Sequence, residues 1–447
     1  MKDTSQETEL KKALGLKEAT IYGVGVILGA GIYALLGEAA GIAGNATWIS
    51  FVLGAFIAAF TALSYAELCS IFPRTAAEFV YVKNSTGSKF LAFLVEYTVL
   101  LSLVFSAAAV SFGFAGYFNS LFGFEILYIG MVLILALTIL NFKGIQESAN
   151  FNIVATLIEA GGLVLIILLG LSFVGSVDYL EVPSGAVDFS GMMIPIIGAT
   201  VLVFFAYQGF EELANLTEET KDAARNIPKA MLIALGITTI LYILVSVVAV
   251  SVVHYSELGE SAAPLSLIAE KAGGPGFKEL LGVIALFATA NTVLVLLISA
   301  SRMLYGMAKQ KVIPKIFGEV HAKTPVYAIL FTTAIALGFM FFVNSLSGLA
   351  LLTNMAIFIS FFSVNASLIL LRIYKKELKG SFRTPLNIGN IPITAVLGCF
   401  SSLVMLPQLI QPMEFFGFEI PLLVFGGIII AFGMPLYYIG KSNSKAI

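Results

Sequence analysis

The stretch Gly23-Val24-Gly25-Val26-Ile27-Leu28-Gly29-Ala30-Gly31-Ile32 sets four glycines inside an otherwise apolar segment near the start of the chain. Each glycine costs a helix roughly 1 kcal/mol relative to alanine, so this density invites unwinding. A competing reading keeps the helix whole and makes Gly25 and Gly29 a small-residue face for close packing of a second helix. A dinucleotide fingerprint is rejected, because the spacing is GxGxxxG and the segment follows no strand. If the helix opens inside a membrane, the freed backbone must line a cavity or be buried in protein. The N–H groups of the second half-helix then form a site for a carboxylate.

Composition puts this segment in a bilayer. Hydrophobic residues make up 59% of the 447 and charged residues 12%, with a mean hydropathy of +0.97; soluble domains carry about 45–50% and 25%. A net charge of -2 removes any global attraction to nucleic acid. The two cysteines, Cys69 and Cys399, make no disulfide framework, and His254 and His321 stand apart without metal-ligand spacing. There is no GxxxxGK[ST] phosphate loop, so ATP hydrolysis is not expected, and nothing calls for a cofactor. The polar start, Met1 to Lys17, lacks the pattern of a cleaved signal, so the first apolar run is expected to stay in the mature protein.

A membrane helix needs about 20 mostly apolar residues. The stretches 19–44, 46–71, 88–119, 123–141, 150–175, 192–214, 229–253, 276–307, 325–343, 346–372, 392–411 and 417–440 meet that requirement, predicting an all-α membrane protein of twelve spans. Basic loops stay cytoplasmic. With the N-terminus inside, all but two of the 25 basic residues fall on the cytoplasmic side, the exceptions being Lys271 and Lys278. Both termini are therefore expected in the cytoplasm, and the protein in the cell membrane. The expected divisions are a cytoplasmic segment 1–17, a transport core 18–373, a cytoplasmic loop 374–391, two further spans within 392–440, and a tail 441–447.

The sixth span offers a second break in Phe204-Phe205-Ala206-Tyr207-Gln208-Gly209-Phe210-Glu211-Glu212, where polar and acidic residues follow an apolar run. Carbonyls freed there would accept from an ammonium. The alternative is a helix that ends at Gly209 near the inner surface with its acids in water. The sixth span comes five crossings after the first, an odd number, so it enters the bilayer from the side opposite to the first. Paired interruptions of this kind mark an inverted repeat with a midplane site, and opposed half-helix ends suit a zwitterion.

These residues resemble the amino acid/polyamine/organocation permease family. Gly25 to Tyr33 is similar to its first-helix G-x-x-x-G-x-G-I-F pattern, with Tyr33 for the usual Phe. Phe204 to Met231 resembles the sixth helix, the acidic pair and the N-I-P-x-A entry to the seventh. Ser301-Arg302-Met303-Leu304-Tyr305-Gly306-Met307-Ala308 with Thr324-Pro325, and Ser381-Phe382-Arg383-Thr384-Pro385, match later motifs in order and spacing. The resemblance implies ten core helices as two inverted five-helix repeats, with helices 1 and 6 broken, plus two C-terminal helices. It also implies that amides near Gly29, Ala30 and Gly31 hold a substrate carboxylate, and that carbonyls of Ile27, Phe205, Ala206 and Gln208 take the ammonium. Tyr207 and Phe210 flank the sixth-helix break and would gate or shape the pocket, the alternative for each being simple packing.

The chain departs from the family pattern in two places. Proton-coupled members often carry a lysine in helix five after a G-x-x-x-S turn; here the turn is Gly144-Ile145-Gln146-Glu147-Ser148 and the position aligns with Glu159. Glu159 lies about nine residues into its span, roughly 13 Å deep at 1.5 Å per residue, where an uncompensated charge is costly. It reads as a proton relay or cation ligand, or else as a neutral acid making one structural hydrogen bond. Glu96, in span three, is a second intramembrane acid outside the family pattern, with the same pair of readings. The other departure is Pro73-Arg74-Thr75-Ala76-Ala77-Glu78-Phe79, where the family has glycines before the aromatic, which puts close packing there in question.

The expected function is secondary active transport of amino acids by alternating access, coupled to H+, to Na+ or to a counter-substrate. A polyamine or other organic cation is the alternative substrate. A passive channel would show charge rings or a repeated filter, and an enzyme would need clustered His, Asp or Glu; the sequence has neither.

Overall fold

Helix α1 (Leu16–Leu28) ends where Gly29 leaves helical geometry at φ -5° and ψ -163°, and α2 (Ala30–Ala43) begins at the next residue. The computed structural model describes residues 14 to 443 except 75, 144–148, 218, 322–323, 411 and 416–417. The Gly144–Ser148 turn, most of the expected N-terminal segment and part of the tail lie outside the described residues.

The chain continues through α3 (Thr47–Ile71), the short α4 (Ala77–Thr86), α5 (Lys89–Phe122), α6 (Ile126–Phe142), α7 (Ala149–Gly170) and α8 (Phe189–Val203). After the sixth-span break come α9 (Ala223–Val252), the short α10 (Tyr255–Glu260) and α11 (Pro264–Gly273), and then α12 (Pro275–Lys309). The remainder is α13 (Val326–Val343), α14 (Leu346–Tyr374), α15 (Ile393–Met405), α16 (Leu422–Ala431) and α17 (Gly433–Asn443). Two small antiparallel hairpins, Asn387–Ile388 with Ile391–Pro392 and Pro412–Phe415 with Phe418–Pro421, flank α15.

Among the described residues 9 helical stretches are long and apolar enough to cross a membrane, and Ile126–Phe142 and Ile393–Leu409 are shorter apolar helices. One long stretch, Leu16–Ile71, runs through α1, α2 and α3 and so holds the first two expected spans. Pro195 and Pro228 sit inside α8 and α9, as membrane helices tolerate where neighbours satisfy the freed backbone groups.

Connecting segments gather at two faces. At one, Leu14 pairs with Glu219 and Lys221, Ser381 donates to the Ala224 carbonyl at 2.6 Å, and Lys375 donates to the Asn84 carbonyl at 2.7 Å. Also there, Arg372 grips Glu67 through two hydrogen bonds of 2.6 Å. At the other face Asn45 donates to Glu181, Trp48 to the Tyr179 carbonyl, and Ser176 to the Ser251 carbonyl. This partition follows the alternation of the basic loops.

The segment where close packing was in question, Pro73 to Phe79, is buried at Ala77 and Phe79. Ala76 takes φ 55° and ψ 51°, the left-handed conformation that a glycine adopts without a Cβ clash. A glycine preference at this turn therefore has a backbone cause.

Candidate functional site

The two breaks pack on each other. A Cβ on Gly31 would lie 2.6 Å from Ala206 Cα, and one on Gly209 would lie 2.9 Å from the Val26 carbonyl oxygen. Gly209 also has φ 113°, so glycine is required there twice over. Past Val203 the sixth span tightens into a 3₁₀ turn, Phe204–Tyr207, opens at Gln208 and Gly209, and resumes as a second 3₁₀ segment, Phe210–Leu216. Glu211 is buried and accepts from the Gly209 N–H at 2.9 Å, so the reading with both acids in water does not hold.

A cavity of about 90 Å³ lies at this contact, where one water needs only about 10–15 Å³ on the same measure. Gly29, Ala30 and Gly31 from the first break and Phe205, Gln208, Glu211 and Glu212 from the second line it. The opposite wall is polar on one stripe of α5, Ser102 and Ser106, and on one stripe of α12, Asn291, Thr292 and Ser299. The first amides of α2 have no side-chain cap and no intrahelical partner, so they are free to bind an anion.

From this cavity the lining runs along α5 and α12 toward the face that holds Leu14 and Arg372. The other direction is closed. Tyr117 donates to the Tyr33 carbonyl at 2.7 Å, and a Cβ on Gly113 would meet Ala34 Cβ at 2.8 Å. Beyond that layer a second cavity of about 580 Å³ opens among Glu38, Asn119, Glu125, Glu260 and Asn344.

Two residues absent from the sequence reading hold the breaks in place. Tyr242 of α9 lies with its hydroxyl 2.6 Å from the Ile27 carbonyl oxygen and 2.9 Å from that of Ala206. Those two carbonyls were expected to receive a ligand ammonium; each keeps one further lone pair. Asn354 of α14 donates to the Val201 carbonyl at 2.6 Å and accepts from Gln208 Nε2 at 2.5 Å. The signal available for both was a polar group set in an apolar span.

Of the other expected residues, Ile27 and Phe205 line the cavity and Ala206 lies behind it against Gly31. Tyr207 is fully buried, donates to the Phe51 carbonyl at 2.8 Å and packs edge-on against Tyr242, outside the cavity lining. Phe210 is likewise fully buried, between Tyr65 and Phe361. Both are where the packing alternative puts them.

Glu159 is 1% exposed on α7, and its own carbonyl accepts from Tyr33 at 2.6 Å. One turn earlier Thr156 abuts Gly25, so Gly25 serves close packing while Gly29 breaks the helix: both readings of the opening glycines are realised. Glu96 is buried in α5, and its Oε2 has no hydrogen-bond partner among the described residues. Neither acid lines the cavity. Glu78, on α4 outside the spans, accepts from the Tyr65 hydroxyl at 2.8 Å, and burial pushes its carboxyl up to about 7.

A sequence profile described as amino acid permease matches residues 14–433. The chain is 29% identical over 421 residues to a branched-chain amino acid permease of Bacillus subtilis, covering 89% of this chain and 88% of that one. It is 30% identical over 426 residues to a methylthioribose transporter of the same organism, covering 90% of each. A third relative, cationic amino acid transporter 4 of Homo sapiens, is 28% identical over 428 residues, covering 90% of this chain and 66% of the human one. With a profile match along nearly its whole length and a broken-helix cavity at its centre, the chain belongs to the amino acid permease family of the APC superfamily.

Proposed function

We propose that this permease is a secondary active transporter of amino acids that works by alternating access. The observation that carries the reading is the mutual packing of the two helix breaks across one cavity, Gly31 on Ala206 and Gly209 on Val26. The Gly29 N–H is spent on the Gly25 carbonyl, but the uncapped amides at Ala30 and Gly31 suit a carboxylate, and carbonyls of the opposed break, with the side chains of Gln208 and Glu211 nearby, suit an ammonium. The cavity leads toward one face and is shut from the other by the Tyr33–Tyr117 layer, which fits an inward-facing state with both termini in the cytoplasm.

The architecture that goes with this reading is twelve spans: ten core helices in two inverted repeats within 18–373, then two C-terminal helices within 392–440. Either a proton or an exchanged counter-substrate drives the cycle, with Glu159 and Glu96 as the intramembrane carboxylates available for coupling. The name of one relative, the branched-chain amino acid permease, puts branched-chain amino acids first among substrates to try.

An organic cation is the second reading, favoured by Glu211 and Glu212 in the cavity wall. Purified protein in liposomes decides between them. Radiolabelled amino acid should accumulate only when a proton, sodium or counter-substrate gradient is imposed, whereas accumulation of putrescine or spermidine alone favours the cation. Failure across the twenty amino acids and these polyamines sinks both.

A further inference from the structure

Asn354 stands fully buried on α14, and its carboxamide spans the break in the sixth helix. On one side Nδ2 donates to the Val201 carbonyl at 2.6 Å, with the Leu202 carbonyl at 3.4 Å. These carbonyls belong to the last turn of α8, where the regular helical partners four residues on are missing. On the other side Oδ1 accepts from Gln208 Nε2 at 2.5 Å. The amide can sit only this way round. Turning it over would set Nδ2 against the Gln208 amino group and Oδ1 against two carbonyl oxygens, replacing attractive contacts with repulsive ones.

The constraint passes to Gln208. Its Nε2 is committed to Asn354, and its Oε1 has no protein partner among the described residues and is not enclosed. Gln208 lines the central cavity, so the oxygen is the group left for a ligand. We propose that Asn354 is a positioning residue that locks the Gln208 side chain with its carboxamide oxygen toward the cavity, as an acceptor for the ammonium of the transported amino acid. This goes beyond the backbone carbonyls as ammonium partners, and it ties α14 to the ligand without contact between them. It rests on the reading of the cavity as an amino-acid site.

The test is binding to the purified full-length protein in detergent, followed by thermal shift. The probe is whichever of the twenty L-amino acids stabilises the wild type most. Gln208→Ala and Asn354→Ala should each weaken affinity by about tenfold, and the double variant should be no weaker than the weaker single one. Gln208→Glu leaves Asn354 untouched and covers the case in which Asn354→Ala does not fold. A freely oriented carboxylate would strengthen the hold on an ammonium, whereas one facing the locked Asn354 Oδ1 is repelled, so this variant should bind more weakly than wild type.

Unchanged affinity in Asn354→Ala, losses that multiply to about a hundredfold in the double variant, or tighter binding by Gln208→Glu each overturn the proposal. If the wild type responds to none of the twenty, the amino-acid reading itself fails and takes this inference with it.

Discussion

The hydroxyl of Tyr242 lies 2.6 Å from the carbonyl oxygen of Ile27 and also reaches Ala206, so one phenol ties the unwound part of the first helix to that of the sixth. A carbonyl released from a helix inside a membrane has no water to turn to, and leaving it unpaired costs about 1–3 kcal/mol. Tyr242→Phe removes the hydrogen bonds and keeps the ring that packs on Phe51 and Tyr207. Substrate uptake should fall by roughly tenfold or more, with a lowered unfolding temperature. Uptake equal to wild type in reconstituted liposomes would show that the breaks hold their geometry without it.

Glu78 gives the protein a pH-dependent stability. Burial raises its carboxyl from 4.5 to about 7, opposed in part by the hydrogen bond from Tyr65 and helped by the nearby Glu212. The folded state therefore keeps this proton after the unfolded chain has released it. Stability from this group is fully present below about 4.5, declines as pH rises, and is lost above about 7. The span corresponds to roughly 3 kcal/mol at most. In thermal unfolding between pH 4.5 and 8, wild type should lose stability relative to Glu78→Gln; parallel curves for the two proteins would remove Glu78 as the cause.

How far the sequence reaches depends on whether a feature is written in one segment or in the meeting of several. The glycine cluster around Gly29 marks the first break because its cost is local, and the run from Phe205 to Glu212 marks the second for the same reason. The expectation of sidedness from the basic loops is local in the same way, since each loop is read within one connecting segment. Tyr242 and Asn354 were not, since each acts on a helix far away in the chain and a lone polar group in an apolar span does not say which carbonyl it faces. The side that Tyr207 takes has a related origin: adjacency to a break says nothing about which side of the helix a ring takes, and Gly54 leaves the space that admits it.

Ala76 holds a left-handed conformation with a Cβ present, at φ 55° and ψ 51°. That costs roughly 1–2 kcal/mol, part of which glycine gives back through its larger entropy when unfolded. Ala76→Gly should therefore raise the unfolding temperature, by the equivalent of up to about 1 kcal/mol. A decrease would mean that the methyl group contributes more by packing than it costs in backbone energy.

Arg372 and Glu67 are 10% and 5% exposed and meet in a two-pronged contact, with the Thr384 N–H adding a third hydrogen bond to the carboxylate at 2.7 Å. This joins the ends of α3 and α14 to the segment between α14 and α15. Arg372→Ala strands a buried carboxylate and should cost about 3–5 kcal/mol. Arg372→Lys keeps the charge and loses the fork, so it should rank between the two. Pairing Arg372→Ala with Glu67→Gln should recover part of the loss; if the pair is less stable than Arg372→Ala alone, the uncompensated charge is not what destabilises the single variant.

Glu159 is the sharpest test of how transport is driven. It sits at 1% exposure on the helix that packs on Gly25 through Thr156, and its backbone carbonyl accepts from the Tyr33 hydroxyl. Gly25 and Tyr33 stand on either side of the Gly29 break, so a proton taken up by Glu159 acts beside the break in the first helix. Glu159→Gln holds the side chain in a permanently neutral form of the same size. If coupling runs through this carboxyl, uptake driven by a pH gradient should fall by roughly tenfold, while exchange of labelled for unlabelled substrate at equal pH on both sides continues. If both activities keep the wild-type pH profile, Glu159 is a neutral acid making one structural hydrogen bond, and the coupling step lies elsewhere.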